Sequence, residues 1–175
     1  KPRLVILGSG WGSASLLKKL DTEKYDVTVV SPNNYFLFTP LLPSATVGTL
    51  ELRSLIEPVR KLLKRINGRF LEVSTCFAPH LRSVMAHHRA VQLVIAVGST
   101  TNTMGVPGVE HCHQLKTLAD AAGLRRKVMA NFEQAALPTT TPEERKRLLS
   151  FVVCGGGVEF AAELYDFLTE DLVNY

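Results

Sequence analysis

The feature that most constrains the fold is a short apolar run near the start of the chain that passes directly into a glycine-rich turn. Leu4–Leu7 is apolar throughout, and the turn Gly8–Ser13 follows at once. The next apolar residues recur at helical spacing and fall mostly on one side: Ala14, Leu16, Leu17 and Leu20. Asp26–Val30 then has the β-branched composition of a second strand. This order of strand, glycine turn, helix and strand predicts a right-handed βαβ unit.

The spacing of small residues in this turn suits a phosphate group. Gly8 and Gly10 occupy the first two glycine places of G-x-G-x-x-G, and Ser13 stands at the third, where a small residue lets the helix pack on the strand. Backbone N–H groups at a helix start bind phosphate, and a Cβ would hold the pyrophosphate away from them. Ser31 stands where an acidic residue usually binds the ribose. The residues therefore predict a dinucleotide and leave FAD and NAD undecided.

Trp11 lies inside the same turn. An aromatic side chain there either covers the cofactor or packs against the first helix, and the sequence favours neither.

The pattern after the second strand is less regular. Tyr35–Pro43 is apolar but contains Pro40 and Pro43, which predicts a packed loop rather than a central strand. Glu51–Arg65 is amphipathic and predicts a helix with a break at Pro58. Phe70–Val73 is a candidate strand. Residues 76–90 have no clear period and are assigned to no element.

A clearer order returns at Leu93–Val97, which predicts a strand. Leu115–Leu137 predicts a long helix whose basic residues 125–127 face outward. Thr141 is expected to cap a further helix, with Pro142 at the first helical position and Glu144 closing a capping box.

A second strand–glycine–helix unit is predicted near the end of the sequence. Leu148–Val153 is the expected strand, Gly155–Gly157 the turn, and Val158 the approximate start of the helix. No strand follows, so this unit is expected to be incomplete. The glycine turn either opens a second nucleotide site or is only a tight connection.

Composition and charge place the chain among ordinary globular proteins. Of its 175 residues, 46% are hydrophobic and 21% charged, which excludes disorder. No apolar run approaches the roughly 18 residues of a membrane-spanning helix. The net charge of +4 is small and scattered, so no nucleic-acid partner is predicted. Six basic residues within Arg53–Arg69 form either a solvated helix face or a contact for a membrane surface or other acidic partner.

The cysteines and histidines indicate neither a dithiol centre nor a metal site. Cys76, Cys112 and Cys154 stand far apart without a C-x-x-C pair. His111 and His113 flank Cys112, but that spacing lacks the second ligand pair of a metal site, so no metal is predicted. The chain opens at Lys1 without an initiator Met or a presequence, which we interpret as a mature form or a fragment.

Three stretches of the chain are distinctive: 8–13 together with 31–44 (SPNNYFLFTPLLPS), 93–117 (LVIAVGSTTNTMGVPGVEHCHQLKT) and 141–163 (TPEERKRLLSFVVCGGGVEFAAE). They closely resemble the type II (alternative) NADH dehydrogenases of fungal mitochondria, over residues 1–66 and 93–175. Members of that family are single-subunit flavoproteins of the pyridine nucleotide-disulfide oxidoreductase fold. They carry electrons from NADH through FAD to ubiquinone and pump no protons.

The resemblance implies an α/β fold of Rossmann-type FAD/NAD(P)-binding units around a parallel sheet, with the second unit incomplete. Residues 1–113 would be the N-terminal part of an FAD-binding domain, in which 67–92 is degraded. Residues 114–175 would be the start of an NADH-binding domain.

The resemblance also assigns roles to individual residues. The glycine turn would hold the FAD pyrophosphate, Ser31 would face the adenosine ribose, and the loop at Thr39 and Pro40 would lie near the isoalloxazine. The implied FAD contacts are Gly8, Ser9, Gly10, Trp11, Gly12, Ser13, Ser31, Thr39, Pro40, Ala96 and Gly98. The implied NADH contacts are Gly155, Gly156, Gly157 and, near the nicotinamide, Glu159. No catalytic residue is assigned.

The chain departs from the family at two internal places. Members read G-G-G-P-T-G-V-E-F, whereas here Gly157 runs straight into Val158, which moves Phe160 to the sixth fingerprint position. Residues 67–92 are also too few for the strand segment that helps to cover FAD. Members are much longer, so the sequence predicts a truncated FAD-dependent NADH:quinone oxidoreductase.

The implied partners are NADH and ubiquinone as substrates, with peripheral attachment to the mitochondrial inner membrane. A sulfide:quinone reductase is the weaker enzyme alternative, because the redox cysteine pair that it needs is missing. The alternative from another class is a non-catalytic, dinucleotide-binding remnant.

Overall fold

The computed structural model describes residues 1–21, 23–73, 92–155 and 157–171. It contains two compact units, each formed by two segments of chain. One comprises Lys1–Leu37 with Ile56–Gly105, and the other Phe38–Leu55 with Val106–Tyr175. The stretch 76–90, which the sequence left without an assignment, lies outside the described residues. The domain border predicted between residues 113 and 114 stays a prediction.

The first unit is built on a parallel sheet. Its strands lie in the order β5-β2-β1-β6, and all neighbours are parallel. The bounds are Arg3–Leu7 for β1, Asp26–Ser31 for β2, Arg69–Glu72 for β5 and Gln92–Ile95 for β6. The predicted α/β class and the strands foreseen near residues 4, 26, 70 and 93 are therefore confirmed.

Two helices pack on one face of this sheet, the face to which alternate apolar residues of β1 and β2 point. They are α1 (Trp11–Lys19) and α3 (Val59–Lys64). The buried core of the unit consists of Leu4, Ile6, Leu17, Val27, Val29, Val59, Leu63 and Ile66. This packing fixes the carboxyl ends of β1 and β2, where the glycine turn begins.

The region between residues 35 and 65 differs from the sequence expectation. Tyr35–Leu37 forms a short strand, β3, which pairs antiparallel with β4 at Ile56–Pro58 in a separate two-stranded ribbon. The predicted loop is thus partly a strand, although it lies outside the central sheet as foreseen. The predicted helix over Glu51–Arg65 is wrong in its first half, where a 3₁₀ turn at Leu52–Leu55 precedes β4. Regular helix begins only after Pro58, which cannot donate a backbone hydrogen bond.

Most of the basic side chains between Arg53 and Arg69 have intramolecular partners. Arg69 pairs with Asp26 at 2.7 Å, Lys61 pairs with Glu57 at 2.8 Å, and the Arg60 guanidinium lies 4.8 Å from the Phe70 ring centre. Arg65 binds the carbonyl groups at the end of α1. Four of the six basic side chains thus contact other parts of the chain while they stay largely exposed, as a solvated helix face would.

All regular elements in the described part of the second unit are helices. A 3₁₀ turn at Thr39–Leu41 leads into α2 (Leu42–Val47), and a further 3₁₀ turn lies at Val109–His111. The remaining helices are α4 (Leu118–Ala136), α5 (Pro142–Leu148), α6 (Val158–Asp166) and a π-helical turn at Phe167–Asp171. Their buried centre is Val47, Val128 and Leu164, packed against the half-buried Phe132, Phe151, Phe160, Phe167 and Leu168.

The helix starts in this unit follow the predicted chemistry in part. Thr141 caps α5 by accepting a hydrogen bond from the Glu144 N–H at 3.2 Å, as expected. The Glu144 carboxylate bonds Arg147 instead, which holds the pKa of that carboxyl below its ordinary value. A complete capping box forms at the start of α4, between Thr117 and Asp120.

The strand predicted over Leu148–Val153 does not form. Leu148 ends α5, residues 149–154 have no regular structure, and the described part of the second unit contains no strand. A strand needs a neighbour to satisfy its backbone hydrogen bonds, so apolar sequence alone does not hold this segment extended. Val152 is consequently 87% exposed.

Candidate dinucleotide-binding site

The turn between β1 and α1 depends on Gly8. Its φ is +101°, a left-handed conformation, and its N–H donates to the Val30 carbonyl at 2.8 Å. A Cβ on Gly8 would overlap the backbone carbonyl of Ala96, which follows β6. Only glycine therefore allows β1, β2 and the end of β6 to meet here.

The N-terminus of α1 is available for an anion. Gly10 is its N-cap, with no side-chain cap, and the first turn contains no acidic residue. The first intrahelical bond runs from the Ala14 N–H to the Gly10 carbonyl, so the N–H groups of Gly12 and Ser13 have no intrahelical acceptor. A Cβ on Gly10 would meet nothing within 4 Å. This gives open space beside uncapped amides, where the helix dipole favours negative charge.

Small residues let the helix pack closely on the sheet. An added Cβ on Gly12 would lie 3.4 Å from the Ala96 Cβ, and Ser13 is only 1% exposed. Ser13 therefore fills the third fingerprint position as a packing residue, which is the role expected there. Its Oγ is buried without a hydrogen-bond partner in the described part of the chain.

Ser9 and Ser31, both predicted cofactor contacts, belong to one buried hydrogen-bond network with Asn33. The Ser9 Oγ donates to the Asn33 carbonyl at 3.0 Å and lies 2.9 Å from the Ser31 Oγ. The Asn33 N–H donates to the Ser31 Oγ at 3.2 Å. Sequence reasoning named both serines but missed that they bond each other and tie the glycine turn to the end of β2.

A carboxylate lies at the end of the strand next to β2. Glu72 is the last residue of β5 and the register partner of Ser31. It is exposed, and the Asn34 side-chain amide donates to it at 3.4 Å. Sequence reasoning missed Glu72, which lies within the predicted strand Phe70–Val73, because its place beside Ser31 depends on the pairing of β5 with β2.

Further predicted contacts flank the turn within the same unit. Trp11 is 47% exposed at the start of α1, and its ring meets Phe36 edge-on at 5.0 Å between centres. Ala96 extends the β6 ladder by donating to the Leu7 carbonyl at 2.8 Å, and Gly98 has a φ of +76°. Trp11 is thus a rim residue beside the turn, where either predicted role remains open to it.

Thr39 and Pro40 belong to the second unit, in the 3₁₀ turn before α2. Their proximity to an isoalloxazine ring stays a prediction.

The structure describes two of the three residues of the second glycine turn. Gly155 has a φ of +74°, and Gly157 is the N-cap of α6. Glu159 lies exposed in the first turn of that helix, and Gly156 lies outside the described residues. A Cβ on Gly157 would stand 2.5 Å from the Val153 Cγ1, so this glycine serves local packing.

The described residues hold no group of three His, Cys, Asp or Glu side chains placed to bind a metal ion. Within the same ranges, no helix has the length and apolarity required to cross a membrane.

The geometry of the first glycine turn suits the pyrophosphate of a dinucleotide. The amides of α1 lack a cap, the space beside Gly10 is open, and an orphaned Ser13 Oγ is buried under the turn. A parallel sheet with such a turn after its first strand defines the class of dinucleotide-binding α/β proteins.

The particular family follows from comparison with known sequences. The model of the pyridine nucleotide-disulphide oxidoreductases matches residues 2–173, and the chain belongs to this family. An external alternative NAD(P)H-ubiquinone oxidoreductase B2 of Arabidopsis thaliana mitochondria is 47% identical over 99% of this chain and 33% of its own length. The mitochondrial external NADH-ubiquinone oxidoreductase 2 of Saccharomyces cerevisiae is 47% identical over 98% of this chain and 35% of its own. These relatives confirm the resemblance to type II NADH dehydrogenases.

A solved structure supports the same grouping. NDH2 from Plasmodium falciparum in complex with NADH superposes with a TM-score of 0.85 and 35% identity, covering 100% of this chain and 39% of that one. Compared with the curated relatives that it matches, the chain spans about a third of their length.

The alignment also bears on the internal departures. It runs over 195 positions with the Arabidopsis relative, whereas the chain has 175 residues. That relative therefore carries at least 20 residues inside the matched region that have no counterpart here.

Proposed function

We propose that the chain is part of an FAD-dependent NADH:quinone oxidoreductase in which the turn Gly8–Ser13 holds the FAD pyrophosphate. Its membership of the pyridine nucleotide-disulphide oxidoreductases supports this reading, as does its 47% identity to mitochondrial NADH-ubiquinone oxidoreductases. When bound, FAD would supply the acceptor for a hydride from NADH and the donor for quinone reduction.

The single observation that carries the proposal is the uncapped start of α1 beside Gly10. The N–H groups of Gly12 and Ser13 would donate to the pyrophosphate oxygens, and the helix dipole would stabilise their charge. The Ser9–Ser31–Asn33 network holds the turn against β2, so the amides keep their direction before the ligand arrives. Gly98 and Trp11 would border the cofactor beyond the pyrophosphate.

NADH would enter at the second glycine turn, where Gly155 and Gly157 lie and Glu159 stands in the first turn of α6. Ubiquinone as the second substrate and a mitochondrial location are proposed from the relatives, which are named mitochondrial NAD(P)H-ubiquinone or NADH-ubiquinone oxidoreductases. A peripheral place at the inner membrane is proposed from the family resemblance of the sequence alone.

A visible absorption spectrum tests the proposal. The purified chain is incubated with FAD, freed of unbound flavin by gel filtration and scanned, with Gly10→Leu as the matched control. We expect flavin bands to travel with the unsubstituted chain and not with the control. A colourless chain after reconstitution would contradict the proposal.

A second candidate function is a remnant that binds a dinucleotide without catalysis. The exposed, unpaired segment before Gly155 favours it, because a nucleotide turn without its strand lacks the support that positions a nicotinamide. Flavin bands together with no detectable NADH binding, measured by calorimetric titration, would select this candidate.

A further inference from the structure

Ser31 ends β2 at the position where a dinucleotide ribose is usually bound, but its hydroxyl is buried and already hydrogen-bonded. Ser31 replaces the usual acidic residue, is only 3% exposed and bonds to Ser9 and Asn33. Because the single Ser9 proton is donated to the Asn33 carbonyl, the short Ser9–Ser31 contact uses the proton of Ser31. The Ser31 hydroxyl therefore has no proton left to donate, one of its two acceptor positions is taken by the Asn33 N–H, and burial keeps the other away from a ribose.

Glu72 lies at the carboxyl end of β5, the strand next to β2. It is the register partner of Ser31. Neighbouring strands lie about 4.8 Å apart, so the glutamate side chain is long enough to reach from β5 toward the end of β2. Its carboxylate is exposed and accepts a bond from the Asn34 amide, whose residue belongs to the loop that follows β2. Both groups thus lie at the carboxyl end of the sheet, where ligands bind in open α/β proteins.

We propose that Glu72 on β5, rather than Ser31 on β2, receives the ribose hydroxyl groups of the adenine dinucleotide. A carboxylate offers two acceptor oxygens, and hydrogen bonds to a charged acceptor are roughly twice as strong as those between neutral groups. Asn34 would orient the carboxylate toward the loop. The negative charge of the Glu72 carboxylate would also repel a nucleotide that carries a 2′-phosphate on this ribose. This inference rests on the proposed function, since it takes the adenosine diphosphate half of FAD to lie at Gly8–Ser13.

The test uses ADP, 2′-deoxy-ADP and 3′-deoxy-ADP as probes, because they keep the pyrophosphate and adenine and differ only at the ribose. Calorimetric titration gives the affinity of each for the unsubstituted chain, Glu72→Gln and Glu72→Asp. We expect the chain to bind ADP about tenfold more tightly than either deoxy analogue, as expected for a hydrogen bond to a charged group. Glu72→Gln should lose most of this preference, and Glu72→Asp should keep part of it.

Two matched controls separate the carboxylate from general effects. Glu23→Gln removes an exposed charge before β2, at the opposite end of the sheet, and should keep the full ribose preference. Ser31→Ala should weaken all three probes by loosening the turn, with the ratio between them unchanged. Circular dichroism confirms that each variant is folded.

The outcomes distinguish this inference from the proposed function. If the unsubstituted chain binds neither FAD nor ADP, the proposed function fails and this inference fails with it. If ADP binds and Glu72→Gln keeps the tenfold preference, or Ser31→Ala abolishes it, the assignment of the ribose to Glu72 is wrong while the FAD site stands.

Discussion

At the scale of single residues, Gly8 and Gly10 predict opposite outcomes for the same kind of substitution. Gly8→Ala would place a Cβ against the Ala96 carbonyl at a φ of +101°, so we expect a loss of more than about 1 kcal/mol in the free energy of unfolding. Gly10 has a φ of −81° and open space, so Gly10→Leu should keep the fold. Its side chain should instead fill the pyrophosphate space and abolish FAD binding.

Urea unfolding and quenching of FAD fluorescence measure the two effects separately. Unchanged FAD affinity in Gly10→Leu would show that the dinucleotide does not lie at this turn. An undiminished unfolding free energy in Gly8→Ala would show that the close approach of Ala96 is relaxed at no cost.

The glycine turn could be predicted from its own residues, because Gly10 leaves room for a phosphate and Ser13 is small enough for close packing of the helix on the sheet. Ser31 could be named but its partners could not. Its bonds to Ser9 and Asn33 arise only when the turn folds back over the end of β2. Glu72 was missed for the same reason, since its position beside Ser31 depends on which strand pairs with β2.

At the scale of elements, we expect Arg65 to stabilise the C-terminal end of α1. Its guanidinium donates to the carbonyl groups of Leu17, Lys18 and Leu20 at 2.6, 3.0 and 3.2 Å, and a cation there complements the helix dipole. We expect Arg65→Met to lower the free energy of unfolding by about 1–2 kcal/mol. The matched control is Lys64→Met, which removes an exposed charge one residue earlier and should change it by less than about 0.5 kcal/mol. Equal losses in urea unfolding would contradict the capping role.

The capping box of α4 predicts a dependence on pH. Partial burial raises the pKa of the Asp120 carboxyl, but its hydrogen bonds with Thr117 and with the Lys116 N–H outweigh that effect and leave the pKa below its ordinary value. A depressed pKa stabilises the fold above the unfolded-state value, and this contribution is lost as the pH falls through the folded-state value.

We therefore expect Asp120→Asn to be less stable than the parent near neutral pH and equally stable at acid pH, once the carboxyl group is protonated in both the folded and the unfolded state. Thr117→Ala should cost about 1 kcal/mol at neutral pH. Urea unfolding over this pH range measures both. A gap between Asp120→Asn and the parent that stays constant with pH would refute the assignment to this carboxylate.

Elements with local signals were predicted well, and elements defined by partners were not. β1, β2 and α4 follow from periodicity and caps in their own sequence. Ile56–Pro58 was expected to be helical, but it pairs with Tyr35–Leu37, which only the fold brings beside it. Leu148–Val153 has the composition of a buried strand, but residues 149–153 pair with no strand, because pairing depends on which segments the fold brings beside them.

At the scale of the whole molecule, exposed apolar side chains predict weak cooperativity. In the described part of the chain, Ile95 is 71% exposed, Val97 68% and Val152 87%. Apolar surface that stays in contact with water lowers the free energy gained on folding and promotes self-association. We expect a broad thermal transition with dye binding before it, measured by calorimetry and fluorescence. A sharp two-state transition from a monomer would contradict this.

The last prediction is that the 175-residue chain does not turn over NADH with a quinone. Hydride transfer needs the donor and acceptor atoms at roughly 3–3.5 Å, a geometry that small displacements spoil. At the second glycine turn, no strand precedes Gly155, and Phe160 fills the sixth fingerprint position as a half-buried core residue. Glu159 lies exposed on α6. The residues assigned to NADH therefore lack the support that would place a nicotinamide on a flavin.

The measurement is the loss of NADH absorbance with added FAD and a water-soluble ubiquinone analogue. Inserting Pro-Thr-Gly between Gly157 and Val158 lengthens the turn before α6 and moves Phe160 out of the sixth position, so NADH should bind somewhat more tightly to that variant. Quinone reduction should stay absent in both, because the tested chain corresponds to about a third of the relatives' length and the inserted residues add no quinone contact. Turnover near the roughly 10 per second of a median enzyme would overturn the prediction. It would mean that this turn positions NADH without a paired strand.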